Sequence, residues 1–181
     1  MKVFKDQHFG DFYDQDSARV FSDLEFSRCT FSNSAISITR DPARRSTVRN
    51  VNLIDCSQQG CAVEAAVLED VLVDGLKTQG LLQIWGAVFK HVTLRGRIGE
   101  VMFSAAIATA SATENQQRAF DEARASFYDS VDWALDIRDA AFLDAEIQGI
   151  PSRLIRRDPK TQFVVTRQRA LEGRWRSLDL S

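Results

Sequence analysis

The 181-residue chain carries only two histidines, His8 and His91, a count that all but excludes catalytic triads and metal centres built on several imidazoles. One of the two has companions at near-regular intervals: Arg28, Asn50, Asp70 and His91 follow one another at spacings of 22, 20 and 21 residues. If a repeat stacks those positions, Asp70 and His91 become neighbours about 5 Å apart, one strand spacing, flanked by Asn50 and Arg28. An aspartate beside a histidine can pass a proton to and from a substrate, which is general acid–base chemistry, with a carbohydrate as the expected substrate. Glycoside cleavage usually needs two carboxylates at a set separation in a groove. Asp55, Asp74 and Glu100 are on hand, but nothing in their spacing separates them from surface acids. A row of mixed charges also has the plainer role of keeping a sheet face soluble. That role is the expected one, so no catalytic residue is assigned, and Asp70 and His91 stand as the pair an enzyme would use.

Other chemistry is read out more simply. No Gly-Lys-Ser/Thr phosphate loop and no Gly-x-Gly-x-x-Gly is present, and the glycines of Leu94-Arg95-Gly96-Arg97-Ile98-Gly99 suit corner turns. Cys56 and Cys61 lack partners at zinc-ligand spacing, so neither a metal nor a cofactor is expected. Trp85, in Gln83-Ile84-Trp85-Gly86, turns outward if Ile84 turns inward, and an outward Trp is a favoured interface anchor. Trp85, Arg28, Asn50, Asp70 and His91 are therefore the candidate partner-binding residues. Charge is segregated along the chain, with nine acidic and three basic residues over 114–146, then eight basic and three acidic over 153–181. Arg153, Arg156, Arg157, Arg174, Trp175 and Arg176 would be the contacts of a nucleic-acid-binding tail. Self-pairing of the basic tail with the acidic stretch accounts for the same pattern, so nucleic acid is not the expected partner.

The elements that must position these residues come from a repeat. Thr47–Ile54, Val67–Val73 and Val88–Leu94 share an apolar-x-x-apolar-x-apolar core every 20 or 21 residues. An earlier copy sets Phe26 over Val48, Cys29 over Val51 and Phe31 over Leu53. Within it Phe21, Phe26, Phe31 and Ile36 fall five residues apart, and Ile137, Phe142 and Ile147 repeat that spacing late in the chain. Five matches neither the two-residue period of a strand nor the 3.6 of a helix. It suits a squared coil that turns every five residues and closes after about twenty.

The small-x-large pairs Cys29-Thr30-Phe31, Ala140-Ala141-Phe142 and Ala145-Glu146-Ile147 resemble the pentapeptide-repeat proteins. The resemblance implies a right-handed quadrilateral β-helix, a mainly β solenoid of about 20–22 residues per coil, with coils over 19–107 and 133–150. Stacking would bury one continuous apolar cylinder that no coil could bury alone. Ser111-Ala112-Thr113-Glu114 reads as a capping box, and Phe120, Ala123, Phe127 and Val131 follow at helical spacing. An inserted helix over about 112–128 is expected, with Phe120 and Phe127 as its contacts. Asp158-Pro159 opens a second helix over about 159–172, part of a C-terminal cap over 151–181.

With 44% apolar and 27% charged residues and a net charge of −2, the chain reads as one globular domain over 1–181 with no strong field for a polyanion. No run approaches the length of a membrane span, and three cysteines suit a reducing compartment, so a cytoplasmic protein with no membrane contact is expected. A capped coil without a catalytic motif most naturally offers a rigid face to another protein. The expected function is a non-enzymatic interaction module, and the family resemblance suggests one that neutralises or protects its partner. An uncovered coil end would also allow a homodimer.

Overall fold

The computed structural model describes residues 1–108 and 112–162. It is mainly β, with thirteen strands in one curled parallel sheet and a single helix among the described residues. The strands are β1 (Lys2–Lys5), β2 (His8–Gly10), β3 (Tyr13–Gln15), β4 (Val20–Ser27), β5 (Thr30–Ser32), β6 (Ala35–Ile38), β7 (Thr47–Gln59), β8 (Ala62–Glu64), β9 (Val67–Gln79), β10 (Leu82–Trp85) and β11 (Val88–Ser104). After α1 (Glu114–Tyr128) come β12 (Leu135–Ile147) and β13 (Ile155–Arg156). Each tier of the sheet lies parallel on the one before it, so β1, β4, β7, β9, β11, β12 and β13 stack along one side, and β3, β6, β8, β10 and the end of β11 along another.

Side-chain type follows from tier geometry. Val51, Val71 and Val92 are register partners and each is buried, as are Val73 and Leu94 in the next inward row. Rows of this kind form the main core, which Val88, Ile98, Phe103 and Leu135 extend. Between the rows the chain must bend, and it does so through left-handed backbone. Asp23, Asn50, Asp70 and His91 share one such corner at φ +53 to +59, while Asp6, Arg28, Asp55, Gly75 and Gly96 share another. Asp, Asn and His are the non-glycine residues that tolerate this region best, so the corner itself selects residue types that resemble chemistry. Gly99 answers a different demand, since a Cβ there would lie 2.1 Å from Thr78 Oγ1 on the tier below.

Three expectations change. The stack begins at Lys2 rather than near residue 19, because β1, β2 and β3 pair with β4, β5 and β6. The first copy also sits one five-residue step away from the expected alignment: Phe26 registers on Leu53, Phe21 on Val48 and Leu24 on Val51. The offset there is 27 residues because the segment 39–46, with a 3-10 turn at Pro42–Arg44, bulges out between β6 and β7. The bulge carries Arg45 under α1, where its guanidinium lies over the Phe120 ring and donates to the Gly86 carbonyl, and burial pushes its pKa down to about 10. At the C-terminal end Pro151–Arg157 forms a 3-10 turn at Ser152–Leu154 and then the short β13. The helix expected over 159–172 falls, beyond Gln162, outside the described residues.

The insertion after β11 is helical as expected, but its capping box is Thr113 with Gln116 rather than Ser111 with Glu114. Phe120 is fully buried against Ala65 and Ile107. Phe127 is half-buried, and the deeper contact is its neighbour Tyr128, whose hydroxyl accepts the Phe89 N–H at 3.3 Å.

Candidate functional site

The corner between β9 and β11 brings Asp70 and His91 together. His91 Nδ1 lies 3.1 Å from Asp70 Oδ1, closer than a bare strand spacing, because both side chains leave left-handed corners in the same direction. The other ring nitrogen is occupied too, since Nε2 lies 2.7 Å from Asp132 Oδ1. Asp132 belongs to the connection from α1 to β12, which docks when the Trp133 and Ala134 carbonyls accept the His91 and Val92 N–H groups. The His91 bond holds the Asp132 carboxyl below the usual carboxylate range. Beside it the imidazole lies 4.8 Å from the Trp133 ring, and the Arg156 guanidinium covers the same indole at 4.1 Å.

A neutral imidazole has one N–H and can donate to only one of these carboxylates, whereas an imidazolium donates to both. The two acids bond to opposite edges of the ring. They therefore do not converge on a common point, and no group of three or more metal-capable side chains occurs among the described residues.

Asn50 occupies the same corner ladder one tier below Asp70, and its amide donates to Asp23 Oδ1 at 2.6 Å, which draws the Asp23 carboxyl down. Arg28 does not join this ladder. The 27-residue offset moves it to the neighbouring corner, where Nε and NH2 grip both Asp6 carboxylate oxygens at 2.7 Å and lower the Asp6 pKa. Trp85 is half-buried rather than fully outward; its indole N–H reaches Gln83 Oε1 at 3.4 Å, and Glu64 and Ser104 are its register partners. Burial pushes the Glu64 carboxyl up.

Of the basic tail, Arg156 and Arg157 border a hollow of about 390 Å³ together with Arg138, Ile155 and Pro159. Arg153 points to a separate hollow of about 500 Å³ between α1 and the 149–153 turn, lined also by Asp121, Arg124 and Tyr128. Arg174, Trp175 and Arg176 lie outside the described residues.

Asp132 and Trp133 were not legible as partners of His91. Stacking Leu135 on Val92 puts Ala134, not Asp132, one tier beyond His91, and the aspartate reaches back from an irregular connection. Among protein-family models and curated proteins, none matches the chain.

Proposed function

We propose that the curled parallel sheet is a right-handed β-solenoid of the pentapeptide type, and that it acts without catalysis by binding another protein. The carrying observation is the first tier, whose outer side no other strand covers among the described residues. β1, β2 and β3 each pair on one side only among the described residues. Five of the seven large apolar side chains exposed among those residues, Met1, Val3, Phe12, Tyr13 and Val20, lie within the first twenty positions. Unpaired strand edges beside exposed apolar surface favour occupation by a partner. The corner ladder of Asp23, Asn50, Asp70 and His91, with Trp85 further round, supplies polar and aromatic groups of the sort found around such contacts. Within this class the pentapeptide resemblance favours a protein that neutralises or protects its partner, and three free cysteines suit a reducing compartment.

Acid–base catalysis by Asp70 and His91 has less support, because both imidazole nitrogens already face carboxylates and neither is left to accept a substrate proton.

The test is affinity capture from the native host's lysate at physiological salt, comparing the wild-type chain with Val3→Ser/Tyr13→Ser, Trp85→Ala and Asp70→Asn/His91→Gln. One stoichiometric protein retained by the wild type and lost from the first variant is the expected result. A wild-type chain that retains no specific protein would overturn the reading.

A further inference from the structure

We propose that the hollow bounded by Arg138, Arg156 and Arg157 binds the phosphate of a small phosphorylated organic molecule. Three separate features of the chain bring these guanidinium groups to one place. The first is a bulge: Thr93 registers on Asp136 but Arg95 on Asp139, so β12 carries one extra residue around Ile137 and Arg138. Bulges re-aim side chains, and this one folds Arg138 back onto Asp136, which it grips through Nε at 3.0 Å and NH2 at 2.6 Å. The second is β13, whose pairing on Leu135 and Asp136 seats Arg156 beside that carboxylate and over the Trp133 ring. The third is the turn after β13. The Gln162 side chain accepts the Asp158 N–H and donates to the Ile137 carbonyl, pinning 157–162 against β12, while the Gln162 carbonyl accepts from Arg157 NH1 at 3.1 Å.

The arrangement leaves cationic capacity unspent. Of the three arginines only Arg138 is ion-paired among the described residues. Asp136 is buried and committed to it through both oxygens, Asp139 acts on it at longer range, and the Asp158 carboxylate turns instead to the Lys160 N–H and the Thr161 hydroxyl. Among the described residues Arg156 is held by stacking and Arg157 through one nitrogen, so both keep planar N–H edges there for a ligand, and rigid forks of this kind match a tetrahedral oxyanion. Ile155 and Pro159 add apolar wall to the hollow. A bare inorganic ion would gain nothing from that wall, whereas the organic part of a phosphomonoester would lie against it.

The proposal is tested on the full chain by isothermal titration with phenyl phosphate, inorganic phosphate and phenol. Saturable one-to-one binding of phenyl phosphate is expected, with inorganic phosphate weaker and phenol silent. Arg157→Gln should weaken phenyl phosphate by about tenfold, the loss of one charge-assisted contact. Arg153→Gln, which alters the separate hollow beside α1, should leave it unchanged, and circular dichroism of both variants checks that the fold persists. Absence of saturable binding, or equal binding by Arg157→Gln, would overturn the proposal. So would a single-stranded oligonucleotide that binds where phenyl phosphate does not, since that result describes a polyanion surface instead.

Discussion

His91 Nε2 and Asp132 Oδ1, 41 residues apart in sequence, meet at 2.7 Å and fasten the return of the chain after α1 to the corner where β11 begins. The folded-state pKa of Asp132 is depressed by this bond, so its contribution to stability is present above the unfolded carboxylate value and is lost as pH falls through the folded one. Asp132→Asn should therefore flatten the acid limb of a stability–pH profile below the ordinary carboxylate range. His91→Ala should speed amide exchange at Val92, whose N–H is bonded to the Ala134 carbonyl. An acid limb identical to wild type in Asp132→Asn would show that the contact does not persist in solution.

Phe120 is the chief anchor of α1, fully buried against Ala65 and Ile107 with the Arg45 guanidinium over its ring. Phe120→Ala removes that packing and should cost about 3–5 kcal/mol in urea unfolding. Exchange protection should fall across Glu114–Tyr128 while the Val51, Val71 and Val92 row stays protected. A uniform loss through the sheet would mean that the helix and the tiers unfold as one unit.

What could be read from residues alone divides along the same line. The repeat of Val51, Val71 and Val92 was visible because each tier there has nearly constant length, and the corner ladder was visible for the same reason. The tier before it was misaligned because Phe21, Phe26 and Phe31 are five apart and nearly interchangeable. Sliding them by one step leaves an equally apolar pattern, and only the bulge over 39–46 resolves the ambiguity. Arg28 changed corners in that slide. The first tier was missed because the positions in line with the inward rows are held by the exposed Lys2, the half-buried Phe4 and Phe9 and the buried Asp14, a pattern too mixed to show a period. Asp132 lay beyond any repeat argument, in a connection whose path depends on where α1 docks.

The alignment itself can be measured by a double-mutant cycle. Phe26 and Leu53 are register partners, while Val48 lies across from Phe21. Truncating Phe26 and Leu53 singly and together should give a coupling energy of about 0.5 kcal/mol or more, and the Phe26 and Val48 pair should be closer to additive. The opposite ranking would restore the alignment in which Phe26 lies over Val48.

Alkaline pH tests the buried side of α1. Tyr128 is buried with its pKa pushed up to about 12, chiefly by desolvation. Between the ordinary tyrosine value of about 10 and about 12 the folded state holds a proton that the unfolded state has released, so this group's contribution falls as pH rises through that window. Nearby Arg45, pushed down to about 10 by burial and by Arg124, acts with the opposite sign over an overlapping range, because there the unfolded state binds the extra proton. The wild-type slope is thus a difference of two contributions, and a substitution is needed to separate them. Tyr128→Phe should lower stability by about 1–3 kcal/mol at neutral pH, since it strands the Phe89 N–H in the core. Its deficit relative to wild type should then shrink on going from pH 9 to pH 11, as the falling contribution of the phenol disappears from the comparison. A deficit that is constant across that range in urea titrations would mean that Tyr128 ionises alike in the folded and unfolded chains, and that the helix does not seal it from water.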